Sequence, residues 1–169
     1  MRRAFSLVEL LVVIAVIAIL AALVVPGYHA MVERANSAKC AGNLRQLGVA
    51  LNQYLADHQM IMPDLQSARA SLDENVAVID NTLDRYVDSK AVFACPADHT
   101  IAAQTGTSYY WNPWFSGQQA TTLNNTSVLS FMNLSTLPIL ADKEGGKHGK
   151  ANYLYADGSA TRELRFTIE

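Results

Sequence analysis

The sequence predicts an α+β chain, with one long N-terminal helix carrying a small head that finishes in an antiparallel sheet. Three observations carry this reading. Leu10 to Val25 reads LLVVIAVIAILAALVV without a polar residue. Further on, Leu44, Leu47, Gly48, Leu51, Tyr54 and Leu55 recur at helical spacing. Near the end, ANYLYADGSATRELRF is a hairpin pattern around an Asp-Gly pair.

The helix comes first. Extended back to Phe5, the apolar run is FSLVELLVVIAVIAILAALVV, roughly 30 Å of helix and about the thickness of a bilayer hydrocarbon core. Arg2 and Arg3 precede it, so the short end is expected to stay in the cytoplasm while the rest crosses. A secretory signal peptide explains the basic start and the apolar run, but not the residues after Val25. Cleavage after Ala30 would place Tyr28 where a small residue belongs. A plain anchor leaves Glu9 unexplained, because a carboxylate in an apolar span is costly and marks function. Pro26-Gly27 is expected to kink or locally melt the helix. The amphipathic continuation should end near His58, ahead of Pro63. Glu33, Lys39, Arg45 and Asp57 fall off its apolar face. Glu33, Arg34, Lys39 and Arg45 read as a solvated surface, with charge contacts between subunits as the alternative.

The head divides into shorter elements. Val76, Ile79, Leu83, Tyr86 and Val87 fit a second, shorter helix. VFACPAD at 92–98 reads as a short extended segment ending at Cys95-Pro96, and TLPILAD at 136–142 as a strand. SYYWNPWFSGQQATTLNNTS reads as loop with a possible strand, in which Trp111 and Trp114 pack over the core edge. In the hairpin, Tyr153 and Tyr155 point one way, Asp157-Gly158 turns the chain, and Leu164 and Phe166 lie on the return strand. The resulting units are residues 1–4, 5–25 as a transmembrane helix, 26–58 as its continuation, and 59–169 as a globular head.

Composition narrows the function. Half of the 169 residues are hydrophobic and 17% are charged, which excludes disorder as the dominant state. Thirteen Lys and Arg against fifteen Asp and Glu leave no basic footprint, so nucleic acid is not an expected partner. No phosphate loop, nucleophile elbow or zincin motif occurs, so no catalytic residue and no cofactor are assigned. The two cysteines lack zinc-site spacing. In an oxidising compartment, Cys40 and Cys95 can instead form a disulfide, with two buried free thiols as the alternative. The loop DKEGGKHGK offers two carboxylates, but three lysines and a histidine oppose a cation, so no metal is assigned. His148 is expected to hydrogen-bond backbone near the Asp157-Gly158 turn.

RRA-FSLVELLVVIAVIAILAALVVP resembles the N-terminus of type IV pilins and type II secretion pseudopilins. The resemblance implies a pilin-like fold and a leader, Met1 to Ala4, removed by an inner-membrane prepilin peptidase. It makes Phe5 the new, N-methylated terminus, Glu9 the acid at the fifth mature position, and Pro26 the residue that kinks the helix. The residue before the cut is usually Gly in that family and is Ala4 here. The implied product is a single-pass inner-membrane protein with a periplasmic head. Its implied partners are the lipid bilayer, an assembly platform and other subunits of a pseudopilus or pilus. A Phe5–Glu9 pair between subunits would relieve the cost of burying either charge and fix register. A second resemblance, to a prepilin-associated domain defined by His, nine residues and Asp-Gly, rests on Cys40 with NLRQLG, Cys95-Pro96, and His148 with Asp157-Gly158. Here eight residues separate His148 from Asp157. The competing reading is a membrane-anchored periplasmic binding module that never polymerises.

Overall fold

The computed structural model describes residues 7–98, 100–120, 137–143 and 150–165. One helix, α1 (Leu7–Asp57), accounts for 51 of them. It runs unbroken through Pro26 and Gly27, so the local melting expected there does not occur. A proline removes one amide donor, and the turns on either side keep theirs, so the helix can continue across it.

The head packs on the second half of α1. Cys40, Leu44, Leu47, Leu51 and Leu55 are all buried on one face, and Gly48 lies among them. A Cβ on Gly48 would sit 3.3 Å from both methyls of Leu154, so glycine sets how closely helix and sheet approach. The sheet is antiparallel in the order β1 (Tyr109–Trp111), β2 (Pro138–Asp142), β3 (Tyr153–Tyr155), β4 (Ala160–Thr161). An irregularity between Pro138 and Leu140 shifts the β2–β3 register.

Several local expectations need correction. The single helix expected from Val76 to Val87 is two short turns, α2 (Ile79–Thr82) and a 3-10 turn at Asp84–Tyr86. Asn81 accepts from the amide of Val78 and donates to the carbonyl of Val76, which sets the start of α2. Val92 and Phe93 belong to a 3-10 turn, Lys90–Phe93, rather than to an extended segment. There Ser89 accepts from the amide of Ala91 and caps the turn. A further short helix, α3 (Ile101–Thr105), comes next in the chain and closes at Gly106 with φ 83°.

The hairpin turns through Ala156, Asp157 and Gly158, with Gly158 in the left-handed region. Its amide donates to Tyr155, and the amide of Tyr155 donates to Ser159. That three-residue turn is complete by Ser159, so the return strand is Ala160–Thr161 and not the stretch around Leu164. Leu164 is exposed, and Phe166 lies outside the described residues. Leu154 meets α1 at Gly48, and Tyr155 is buried too. Of the two tryptophans, Trp111 is in the core and Trp114 is exposed.

Candidate functional site

Two places on the chain bear on function: the first half of α1, and the seam that fastens the head to its second half. In the first half, every described side chain from Leu7 to Ala35 is exposed. Glu9 lies in the first turn of α1, the one acidic residue there. By length and composition α1 is long and apolar enough to cross a membrane. Among the described residues, the chain itself buries none of its apolar stretch. Ala4 and Phe5 lie outside the described residues.

The seam is covalent as well as packed. Cys40 on α1 and Cys95, two residues past the Lys90–Phe93 turn, form a disulfide with Cα atoms 5.0 Å apart. Both residues are buried. Next to it, Asn43 donates to the carbonyl of Ala94 at 2.8 Å, adding a polar tie between the same two elements. The amide of Cys95 donates to the Ser108 hydroxyl at 2.9 Å, and that hydroxyl donates to Asp98.

Asp142, at the end of β2, is buried beside the disulfide. One oxygen of its carboxylate accepts from both the amide and the side chain of Asn152, at 2.9 and 2.7 Å. Asn152 in turn accepts from Ser37 of α1. The pair ties the end of β2 to the residue before β3, and Asn152 docks that tie on the helix. Cys40, Cys95 and Asp142 bring possible ligand atoms within 4.8 Å of one another. With both sulfurs spent on each other, the group offers one carboxylate rather than a metal-ligand set.

Asp98 caps α3. Its carboxylate accepts from the amides of Thr100, Ile101 and Ala102 and from Ser108. Burial works to raise its pKa, but the Ser108 hydroxyl and the three amides outweigh that and hold it below the ordinary 3.8. A second charged knot, Arg69 with Asp80, lies largely buried against Gly106. Arg69 also donates to the carbonyl of Thr105 at 2.9 Å, and Lys143 donates to Thr105 and Thr107 nearby.

The sequence singles out Cys40, Cys95, Asp157 and Gly158, and the structure puts the first pair at the seam and the second at the hairpin turn. Asp157 accepts from the amide of Ser159 and pairs with Arg165 at 2.8 Å. His148 and Glu144 lie outside the described residues. Ser37, Asn152 and Asp142 escape a reading of the sequence. Ser37 and Asn152 are 115 residues apart, and nothing local in either stretch signals their pairing.

Residues 1–25 match the family described as the prokaryotic N-terminal methylation motif. That motif supports a prepilin-type subunit of the type IV pilin-like family, a family of structural subunits. It implies processing by prepilin peptidase and assembly with other subunits. With the long apolar helix, it is consistent with an inner-membrane anchor. No curated protein and no solved structure matches the chain.

Proposed function

We propose that the chain is the precursor of a filament subunit. It inserts in the inner membrane, is cut between Ala4 and Phe5, is methylated on Phe5, and polymerises through α1 with the head outside the bundle. The observation that carries this is the methylation-motif match over residues 1–25, set on a helix whose first half buries nothing against its own head. Glu9 is the acid that sets register, pairing with the α-amino cation of a neighbouring Phe5. Phe5 and Glu9 are the assembly residues. Pro26 is the position where the helix bends to leave the membrane. The Cys40–Cys95 bridge holds the head at a fixed place on the helix.

Within this class, the small head without an adhesin region favours a secretion pseudopilus over a surface pilus. The head then faces the periplasm, where its disulfide persists. Intact-mass measurement on protein extracted from the membrane tests the reading. The expected chain lacks Met1 to Ala4 and carries one extra methyl group. A membrane chain that still begins at Met1 overturns it.

A further inference from the structure

The disulfide at the seam has a carboxylate beside it. The Sγ atoms of Cys40 and Cys95 and a carboxylate oxygen of Asp142 all lie within 4.8 Å of one another, and all three residues are buried. Among the described residues, no other acid and no histidine sits that close to both sulfurs. Asp142 is fixed in place. Asn152 donates to it through both its amide and its side chain, Ser37 of α1 donates to Asn152, and β1 sets Tyr109 across from Asp142 in the sheet.

The two sulfurs differ in access. Cys40 is fully enclosed, whereas Cys95 is 4% exposed. Disulfides form by exchange through a mixed disulfide, so an external disulfide reaches Cys95 first and Cys40 must then attack. The attacking species is the thiolate, so Cys40 must give up its proton. With no surface open to solvent, it cannot hand that proton to bulk water. The other polar neighbours are poor acceptors. Burial above all pushes the pKa of the Tyr109 hydroxyl up, so it stays neutral. Asn43 is committed to Ala94, and Asp98 to Ser108 and the amides of α3. Lys143 turns to Thr105 and Thr107, and Lys150 is exposed.

We infer that Asp142 is the proton acceptor for closure of the Cys40–Cys95 bridge. An external disulfide exchanges with the Cys95 thiol, which forms a mixed disulfide and releases one external thiol. The Cys40 sulfur then bonds to the Cys95 sulfur while its proton passes to the Asp142 carboxylate. The bond between Cys95 and the external sulfur breaks, and the departing thiolate takes the proton from Asp142. Two cysteine thiols are oxidised to one disulfide, and the external disulfide is reduced to two thiols. Without the S–S bond, the Cys40 sulfur is free to turn about its Cα–Cβ bond toward the carboxylate. Direct contact or one bridging water suffices for the transfer. The inference concerns the head alone and stands whether or not copies assemble. A carboxylate that acted only by its charge would have the opposite effect, because it opposes formation of a thiolate beside it.

The test uses the full chain extracted in detergent, reduced with dithiothreitol, freed of it, and mixed with excess glutathione disulfide. Protease resistance of the head establishes folding before mixing. Rapid acid quenching, alkylation and intact mass resolve the dithiol, the glutathione adduct and the closed bridge, so conversion of adduct to bridge is read directly. In Asp142→Asn, whose amide oxygen can still accept from Asn152, that conversion should be about a hundredfold slower at pH 7 than in the wild type. The variant should speed up about tenfold per pH unit, as hydroxide takes over from the missing base, while the wild type changes far less. Asn152→Ala loosens the tie but keeps the acid, and should retain the wild-type pH profile. Closure in folded Asp142→Asn that is as fast as wild type, or faster, overturns the inference. So does an Asn152→Ala profile that matches Asp142→Asn, which would place the effect in packing. The wild type alone also decides it, should the variants not fold: a closure rate rising tenfold per unit below about pH 8 shows an unassisted thiol and overturns the inference. A reduced wild-type head that protease digests overturns it as well, since an open chain closes its bridge in water without Asp142.

Discussion

Between Leu7 and Ala35 every described side chain of α1 is exposed, whereas from Ser37 to Leu55 the same helix buries a continuous face under the head. The outer half is the more apolar of the two. It places Leu, Val and Ile on all sides, and nothing else among the described residues covers them. The inner half is amphipathic and is held by packing, a disulfide and the hydrogen bonds of Ser37 and Asn43. The difference shows which stabilisation the chain supplies to itself and which it must take from outside. A contiguous exposed apolar surface of that size needs a bilayer or neighbouring helices. The head needs neither.

Glu9→Ala should produce the largest change, and only in the outer half. Pelleting of sheared filaments, mutant against wild type, should show assembly lost while the span still inserts. If filament yield is unchanged, Glu9 has no role in register; if neither chain yields filaments, the non-polymerising anchored module becomes the better reading. Cys40→Ser acts on the other half. Opening a loop with a sequence separation of 55 costs about 4 kcal/mol in the chain-entropy model. The head should melt at lower denaturant and filament yield should fall, while removal of the leader is untouched. An unaltered denaturation midpoint would show that packing alone fixes the head.

The same chemical change placed in each half sharpens the contrast. Leu44 is fully buried, and Leu44→Ala should cost the head about 3 kcal/mol through lost burial and the cavity left behind. Leu11 is exposed, and Leu11→Ala should leave head stability within about 0.5 kcal/mol. Equal shifts in the two denaturation curves would mean that the halves unfold as one unit.

Legibility in the sequence depends on the range of the interaction. The long helix and its buried face are local and periodic, so Leu44, Leu47, Leu51 and Leu55 announce themselves. The strand at Pro138–Asp142 is also local, an apolar stretch ending at an acid. The second helix misleads because Val76, Ile79 and Leu83 keep helical spacing while Asn81 ties the backbone into a turn. The return strand is hard to place because a three-residue turn and a two-residue strand leave almost no alternation to read. The Ser37–Asn152–Asp142 tie and the Arg69–Asp80 knot depend on tertiary placement of polar residues with no pattern of their own.

The smallest expected effect is the acid response of the head, and it should belong to the head alone. Asp98 is held below the ordinary carboxylate value in the folded state by the Ser108 hydroxyl and three amides, against the upward push of burial. A depressed folded pKa means that the folded state keeps the charged form more tightly than the unfolded chain does. Its contribution is therefore fully present above the unfolded value of 3.8 and is lost as pH falls through the lower folded value. Asp80 has the opposite sign. Burial, only partly offset by Arg69, raises its pKa, so the folded state takes up that proton earlier, and its ionised form costs stability as pH rises. On acidification Asp80 acts above 3.8 and Asp98 below it, with opposite signs, so over the range on either side of 3.8 the acid limb should be shallow in the wild type. Asp98→Asn removes one of them. It should lower stability at neutral pH by about 1 kcal/mol through the weakened cap, and leave a head that loses less stability on acidification than the wild type. Denaturation midpoints measured across that range decide it. A mutant whose acid limb parallels the wild type would show that Asp98 titrates no differently in the folded head than in the open chain.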